Sequence, residues 1–272
     1  MDAHKLQHLE GLSKEARRLL IQMLGTIGVG HVGGSLSVVD MLVYLYYEEL
    51  RVRPEEPRWS DRDRFVLSKG HAGPALYTLL AMKGYFDKSE LATLNQPGTH
   101  LPSHCDMKLT TGVDMTAGSL GQGISTAVGM ALAGRLDHKD YRVFCLVGDG
   151  EVQEGQVWEA AMYAGNQHLD NFVLIVDDNG MQIDNYTDEI NSVRPLDKRF
   201  EAFGFEPICI NGHDFNEIEE AFQRVHTIKK RPAAIIMSTV KGKGCSFCEG
   251  KISCHSMPVT AADVESAMSE LQ

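Results

Sequence analysis

Four short runs of apolar, largely β-branched residues punctuate the second half of the chain: Val143–Val147, Phe172–Val176, Ile208–Ile210 and Ala234–Met237. Segments of helical spacing, Val157–His168 and Phe215–Ile228 among them, lie between them. This alternation constrains the fold more than any other feature. Strands joined through helices run parallel with right-handed crossovers, and continuous apolar strands require cover on both faces. The expectation is an α/β fold, a mostly parallel sheet flanked by helices. Arg64–Leu67 reads as a further short strand. No repeat, low-complexity segment or linker divides residues 1–272, so one domain is expected.

The first half carries the helices. Apolar spacing predicts one over Leu6–Ile27, ended by the glycines from Gly28 to Gly34. Ser35 or Ser37 is expected to cap a second that reaches Leu50. Ala72–Lys83 and Lys88–Leu94 follow, then a long loop over Asn95–Asp114, which at that length is functional or mobile. Leu120–Arg135 is a helix rich in glycine, alanine and serine, suited to close approach by a neighbour and expected to offer a contact surface.

Charge narrows the function. With 37 acidic and 26 basic side chains the net charge is -11, which argues against a nucleic-acid partner. Any anion site must be local, built from backbone amides, a metal and a few histidines. No apolar stretch approaches the ~18 residues of a membrane span, and the charged start Met1–Lys5 is no secretory leader. Six cysteines without an export signal point to reduced thiols and a cytoplasmic location. Cys245-x-x-Cys248 with Cys254 and His255 is too tightly spaced for structural zinc, so a mobile loop with free thiols is expected.

The richest chemistry follows the strand Val143–Val147, in Gly148-Asp149-Gly150-Glu151-Val152-Gln153-Glu154-Gly155. Ligands of parallel sheets bind beyond the carboxyl ends of strands, and amides at a helix start can face phosphate oxygens. A carboxylate such as Asp149 fits there only with a divalent cation between it and the phosphate. Asp177-Asp178-Asn179, closing the next strand, puts a second oxygen donor at Asn179, thirty residues on. Oxygen donors that leave room for diphosphate and water suit magnesium, with calcium as a substitute. A nicotinamide fingerprint is a poor fit, because Gln153 stands where G-x-G-x-x-G needs glycine. The plainer reading is a tight turn with Asp149 as a helix cap.

Of 11 histidines, His31, His71, His104 and His255 sit beside glycines, at a strand end or in long loops, and invite a shared cleft. Histidine can donate to sugar or phosphate oxygens and can move protons near neutral pH. His4, His8, His138 and His168 read as surface residues.

Gly148-Asp149-Gly150 followed by Asn179 resembles the thiamine-diphosphate motif. With Gly30-His31-Val32-Gly33-Gly34, Arg64 to Ala72, and Gly118-Ser119-Leu120-Gly121-Gln122-Gly123, the chain resembles transketolase over His31 to His255. The resemblance implies a thiamine-diphosphate-binding fold. In it Asp149, Asn179 and the Met181 carbonyl hold magnesium, and Gly118, Ser119, Leu120, Gly150 and Glu151 contact the cofactor. His71 and His255 hold its diphosphate and line the donor sugar's path. His31 and His104 meet the sugar hydroxyls and assist proton transfer, and Glu154 lies at the subunit interface. Val32, Gly180-Met181 and Cys254-His255-Ser256 depart from the commoner family pattern.

The glutamate that drives this cofactor's pyrimidine belongs to the family's second domain. The resemblance therefore implies the N-terminal subunit of a split transketolase. A partner carrying the pyrimidine-binding and C-terminal domains would complete an α₂β₂ heterotetramer acting on sugar phosphates. The α subunit of a 2-oxo-acid dehydrogenase, a deoxyxylulose-phosphate synthase fragment and a non-catalytic diphosphate-binding module are the alternatives. His31, His71 and Gln153-Glu154-Gly155 favour transketolase.

Overall fold

A computed structural model describes residues 1–272. Its strands are β1 Val29–Gly30, β2 Arg64–Leu67, β3 Val143–Gly148, β4 Phe172–Asp178, β5 Glu206–Asn211, β6 Ala233–Ser238 and β7 Met257–Pro258. Five of them form one all-parallel sheet in the order β2-β3-β4-β6-β5. The helices are α1 Ala3–Ile27, α2 Gly33–Leu36, α3 Val39–Tyr44, α4 Gly73–Lys83, α5 Gln122–Leu136, α6 Gly155–Asn166, α7 Thr187–Asn191, α8 Leu196–Ala202, α9 Phe215–Thr227 and α10 Ala261–Glu270. No helix is long and apolar enough to cross a membrane.

Successive strand residues point to opposite faces. Phe65, Phe144, Leu146, Val173, Ile175, Ile235 and Met237 join a core with α1, α3, α4 and α9. Val66, Val143, Cys145, Val147, Leu174, Val176 and Ile236 join a second core with α5, α6 and α8. The expected parallel sheet, covered on both faces, is therefore present. The edge strand β5 alternates buried Ile208 and Ile210 with exposed Cys209.

Several boundaries differ for physical reasons. The helix expected to reach Leu50 is broken into α2, α3 and a π-helical turn over Leu45–Glu49. Neither serine caps it. Ser35 Oγ donates to the His31 carbonyl, and Ser37 Oγ to the Gly34 carbonyl and to Asp177. The helix expected from Leu120 starts at Gln122, because Gly121 sits at φ 82°, a left-handed conformation that glycine tolerates and other residues resist. Residues 95–114 form no helix or strand, yet Leu101, Cys105, Thr110 and Val113 anchor them in the interior. The cysteine loop is likewise packed: Cys245, Cys248 and Cys254 are buried in the larger core, which corrects the expectation of a mobile segment. Not anticipated at all were α7, α8, α10 and the antiparallel pairing of β1 with β7, which ties Gly30 to Met257.

Candidate active site at the carboxyl edge of the sheet

A cavity of about 360 Å³ opens beyond the carboxyl ends of β2, β3, β4 and β6. That volume falls within the range of small-molecule sites. The register of β3 on β4 pairs Gly148 with Asp177, so the loops after the two strands emerge side by side. Asp149 and Asn179 both line the cavity. The Gly180 N–H, next in the chain to Asn179, donates to Asp149 Oδ2 at 3.0 Å, and Thr187 Oγ1 donates to the same oxygen at 2.7 Å.

Asp149 is only 2% exposed. Burial, reinforced by Asp177 and Asp178, pushes its carboxyl up to about 6. A buried carboxylate without a cationic partner is the setting in which a bound cation gains most. Met181 lines the same wall. Carboxylate, amide oxygen and backbone carbonyl make an oxygen-only donor set, suited to a hard cation.

The strand end Asp177-Asp178-Asn179 divides its side chains by alternation. Asp178 points away and forms a bidentate pair with Arg194, at 2.6 Å to each nitrogen. Asp177 is fully buried and receives Lys69 Nζ at 2.6 Å. Despite its burial, this ammonium partner holds Asp177 below the usual carboxylate range.

Glu151 also borders the cavity. Its Oε1 accepts from Gly121 N at 2.8 Å and from Ser68 Oγ, and its Oε2 from Gly148 N at 3.1 Å. With these donors in place, Glu151 braces the loop before α5 against the loop after β3. A cofactor contact, the role implied by resemblance, would have to share those oxygens. Gly118, Leu120 and Gly150 line the cavity, whereas Ser119 is not part of its wall. Glu154 borders it as an exposed carboxylate at the start of α6.

The four singled-out histidines come together. The His31 ring lies 5.4 Å from His71, 5.6 Å from His104 and 5.4 Å from His255, and His71 lies 5.0 Å from His255. His71 and His255 line the cavity, and His31 and His104 are packed beside them. Burial, then the Lys69 charge, pushes His71 far below its ordinary value. Burial and Lys241 bring His255 down to about 4, and burial with His104 lowers His31. These three rings are neutral at pH 7. His4, His8, His138 and His168 are exposed, as expected.

Two lysines escaped the sequence reading. Lys69 and Lys241, 1% and 2% exposed, both line the cavity. Lys241 Nζ donates to the Gln182 carbonyl at 3.1 Å and faces His255 Nδ1 at 3.4 Å. The anion side of the site therefore uses ammonium groups as well as amides and histidines. A cavity lined by both oxygen donors and buried cations fits a metal-bound polyanion.

The sequence matches the family described as "Transketolase, thiamine diphosphate binding domain" over residues 10–272. It is 51% identical over 256 residues to the 6-deoxy-6-sulfo-D-fructose transketolase subunit SqwG of Clostridium sp. (strain MSTE9), covering 94% of this chain and 93% of that one. It is 39% identical over 268 residues to one subunit of the apulose-4-phosphate transketolase of Phocaeicola vulgatus, covering 98% and 95% respectively. The crystal structure of the Campylobacter jejuni transketolase superposes with a TM-score of 0.93 at 34% identity. All of this chain is covered there, but only 43% of the other.

Proposed function

The chain belongs to the transketolase family, as its thiamine-diphosphate-binding domain, and on that premise we propose that it is the N-terminal subunit of a split transketolase. With a partner supplying the pyrimidine-binding and C-terminal domains, it transfers a two-carbon ketol unit from a ketose to an aldose. The observation that carries this reading is the packing of four histidines around one centre, beside the cavity that Asp149 and Asn179 line. Phosphate binding alone needs no such cluster, which weighs against a non-catalytic module.

Asp149, Asn179 and the Met181 carbonyl would hold magnesium, with calcium as a substitute. Lys69, Lys241, His71 and His255 would face the diphosphate. The donor set fits, because the oxygens are hard and the buried Asp149 charge lacks a partner cation. When bound, thiamine diphosphate supplies the electron sink for breaking and making the carbon–carbon bond.

The chain's own part is positioning and proton handling. Because the Lys241 ammonium only donates, His255 Nδ1 must accept, and the ring proton resides on Nε2. That N–H is available to a phosphate or sugar oxygen. Neutral His31 can both accept a proton from a substrate hydroxyl and donate one, as a charged ring could not, and His104 packs edge-on against it.

Identity to the 6-deoxy-6-sulfo-D-fructose transketolase subunit, 51%, exceeds that to the apulose-4-phosphate transketolase subunit, 39%. This favours a sulfonated ketose as donor. The exposed Leu136, Met162 and Tyr163 on α5 and α6, with Glu154, suit the subunit interface of an α₂β₂ assembly. Co-purification with the partner, followed by assays with 6-deoxy-6-sulfofructose, xylulose 5-phosphate and fructose 6-phosphate, tests the reading. The expected result is partner-dependent release of a four-carbon sulfonated aldose. Absence of ketol transfer from every donor would overturn it.

A further inference from the structure

We infer that Asp177 is a positioning residue for the metal site, holding the Asn179 amide so that its oxygen, and not its nitrogen, is presented to the cation. The inference rests on the reading of Asn179 as a metal ligand.

Asp177 is fully buried at the end of β4. Its Oδ2 accepts from Lys69 Nζ at 2.6 Å, Ser37 Oγ at 2.7 Å and Asn179 Nδ2 at 3.0 Å, and its Oδ1 accepts from Thr239 Oγ1. With an ammonium among its donors, Asp177 is a carboxylate, and a carboxylate only accepts. The Asn179 atom that faces it must therefore be the amide nitrogen. A second contact imposes the same choice from the opposite chemistry. The Met181 backbone N–H lies 3.1 Å from Asn179 on its other side and only donates, so the atom there is Oδ1. A carbonyl oxygen keeps a second lone pair for a cation.

A rotated amide would break both bonds and offer N–H groups to a metal that takes oxygen ligands. Asp177 cannot swing to follow such a rotation, because donors from three other segments hold it: Ser37 before α3, Lys69 after β2 and Thr239 after β6. Asp178 cannot take its place, since Arg194 occupies both its oxygens.

The test is Mn²⁺ affinity in the presence of thiamine diphosphate, followed by electron paramagnetic resonance on the chain assembled with its partner. Asp177→Ala removes the oxygen that accepts from the Asn179 NH₂, whereas the amide oxygen of Asp177→Asn keeps the Oδ2 place shared by Lys69 and Asn179 and puts its NH₂ at the Thr239 hydroxyl. In Asp177→Ala, without that acceptor, the Asn179 amide is free to turn its nitrogen toward the metal. The expected result is at least a tenfold loss of Mn²⁺ affinity in Asp177→Ala, comparable to that of Asn179→Ala, with Asp177→Asn within about threefold of the wild type. Ser37→Ala, which removes a different donor from Asp177, lowers thermal stability and leaves Mn²⁺ affinity within twofold. If Asp177→Ala binds Mn²⁺ normally while Asn179→Ala does not, the inference fails and the ligand reading stands. If Asn179→Ala also binds normally, the ligand reading itself fails. A crystal structure of the Mn²⁺-loaded wild type provides a check free of folding effects. Asn179 oxygen on the metal, with its nitrogen on Asp177, supports the inference, and any other arrangement overturns it.

Discussion

The carboxylate of Glu151 accepts the backbone N–H of Gly121 at 2.8 Å, joining two loops that are thirty residues apart in the chain. One buried side chain thus sets the spacing between the segment that starts α5 and the Gly148-Asp149-Gly150 turn. Glu151→Ala strands the Gly121 and Gly148 amides and the Ser68 hydroxyl. Each buried unsatisfied group costs about 1–3 kcal/mol, so a total near 3 kcal/mol is expected once relaxation is allowed. Thermal unfolding should show a midpoint lowered by roughly 6–12 °C, and Glu151→Gln should recover part of the loss.

Asp149 is a liability in the metal-free protein. Its carboxyl is raised to about 6, so its contribution to stability is present below the unfolded value of 3.8 and is lost as pH rises through 6. At pH 8 in a chelator, Asp149→Asn should be more stable than the wild type by about 1–2 kcal/mol. Melting curves with added magnesium and thiamine diphosphate should reverse that order. A less stable variant in chelator would contradict the argument.

His255 supplies a pH dependence of the opposite sense. Its ring is lowered to about 4 by burial, then by Lys241, with His31 and Lys69 adding to the effect, and His71 packs against it. The unfolded imidazole takes up its proton near 6.5, so stability falls as pH drops from 6.5 towards 4. An NMR titration of the His255 ring should place its midpoint near 4 and show it rising in Lys241→Met. A wild-type midpoint near 6.5 would refute the electrostatic picture.

Glycine substitutions test the packing. A Cβ on Gly165 would lie 1.7 Å from the Phe203 carbonyl oxygen, where α6 meets the chain leaving α8. Gly165→Ala should cost about 3 kcal/mol or more, or prevent folding. At the exposed Gly11 of α1 a Cβ meets nothing within 4 Å. Gly11→Ala should therefore stabilise by about 0.5–1 kcal/mol. Denaturant midpoints for the two variants should move in opposite directions.

The parallel sheet was legible because apolar runs and helical spacing are local signals of burial. The cavity-lining Asp149 and Asn179 were legible because strand ends bring distant oxygen donors together. The four histidines were legible because glycines and strand ends mark them. Lys69 and Lys241 were not, since a lysine followed by glycine reads as solvated until the fold buries it. The signal available was Asp177, a carboxylate on an apolar strand that needs a cation nearby. The β1–β7 pairing is two residues long and leaves no period to read. The burial of Cys245, Cys248 and Cys254 depends on turns at Gly242 and Gly244, at φ 80° and 91°, that fold the segment back. The helix α10 had a readable signal in the Thr260–Asp263 capping box that spans its first turn.

In the proposed site Asp149 and Asn179 together grip a divalent cation that holds the cofactor's diphosphate. Isothermal titration of thiamine diphosphate into the assembled protein, with magnesium and then with chelator, tests it most directly. Binding should require the metal and weaken at least a hundredfold in Asp149→Ala. Equal affinity in chelator, or full affinity in Asp149→Ala, would contradict it.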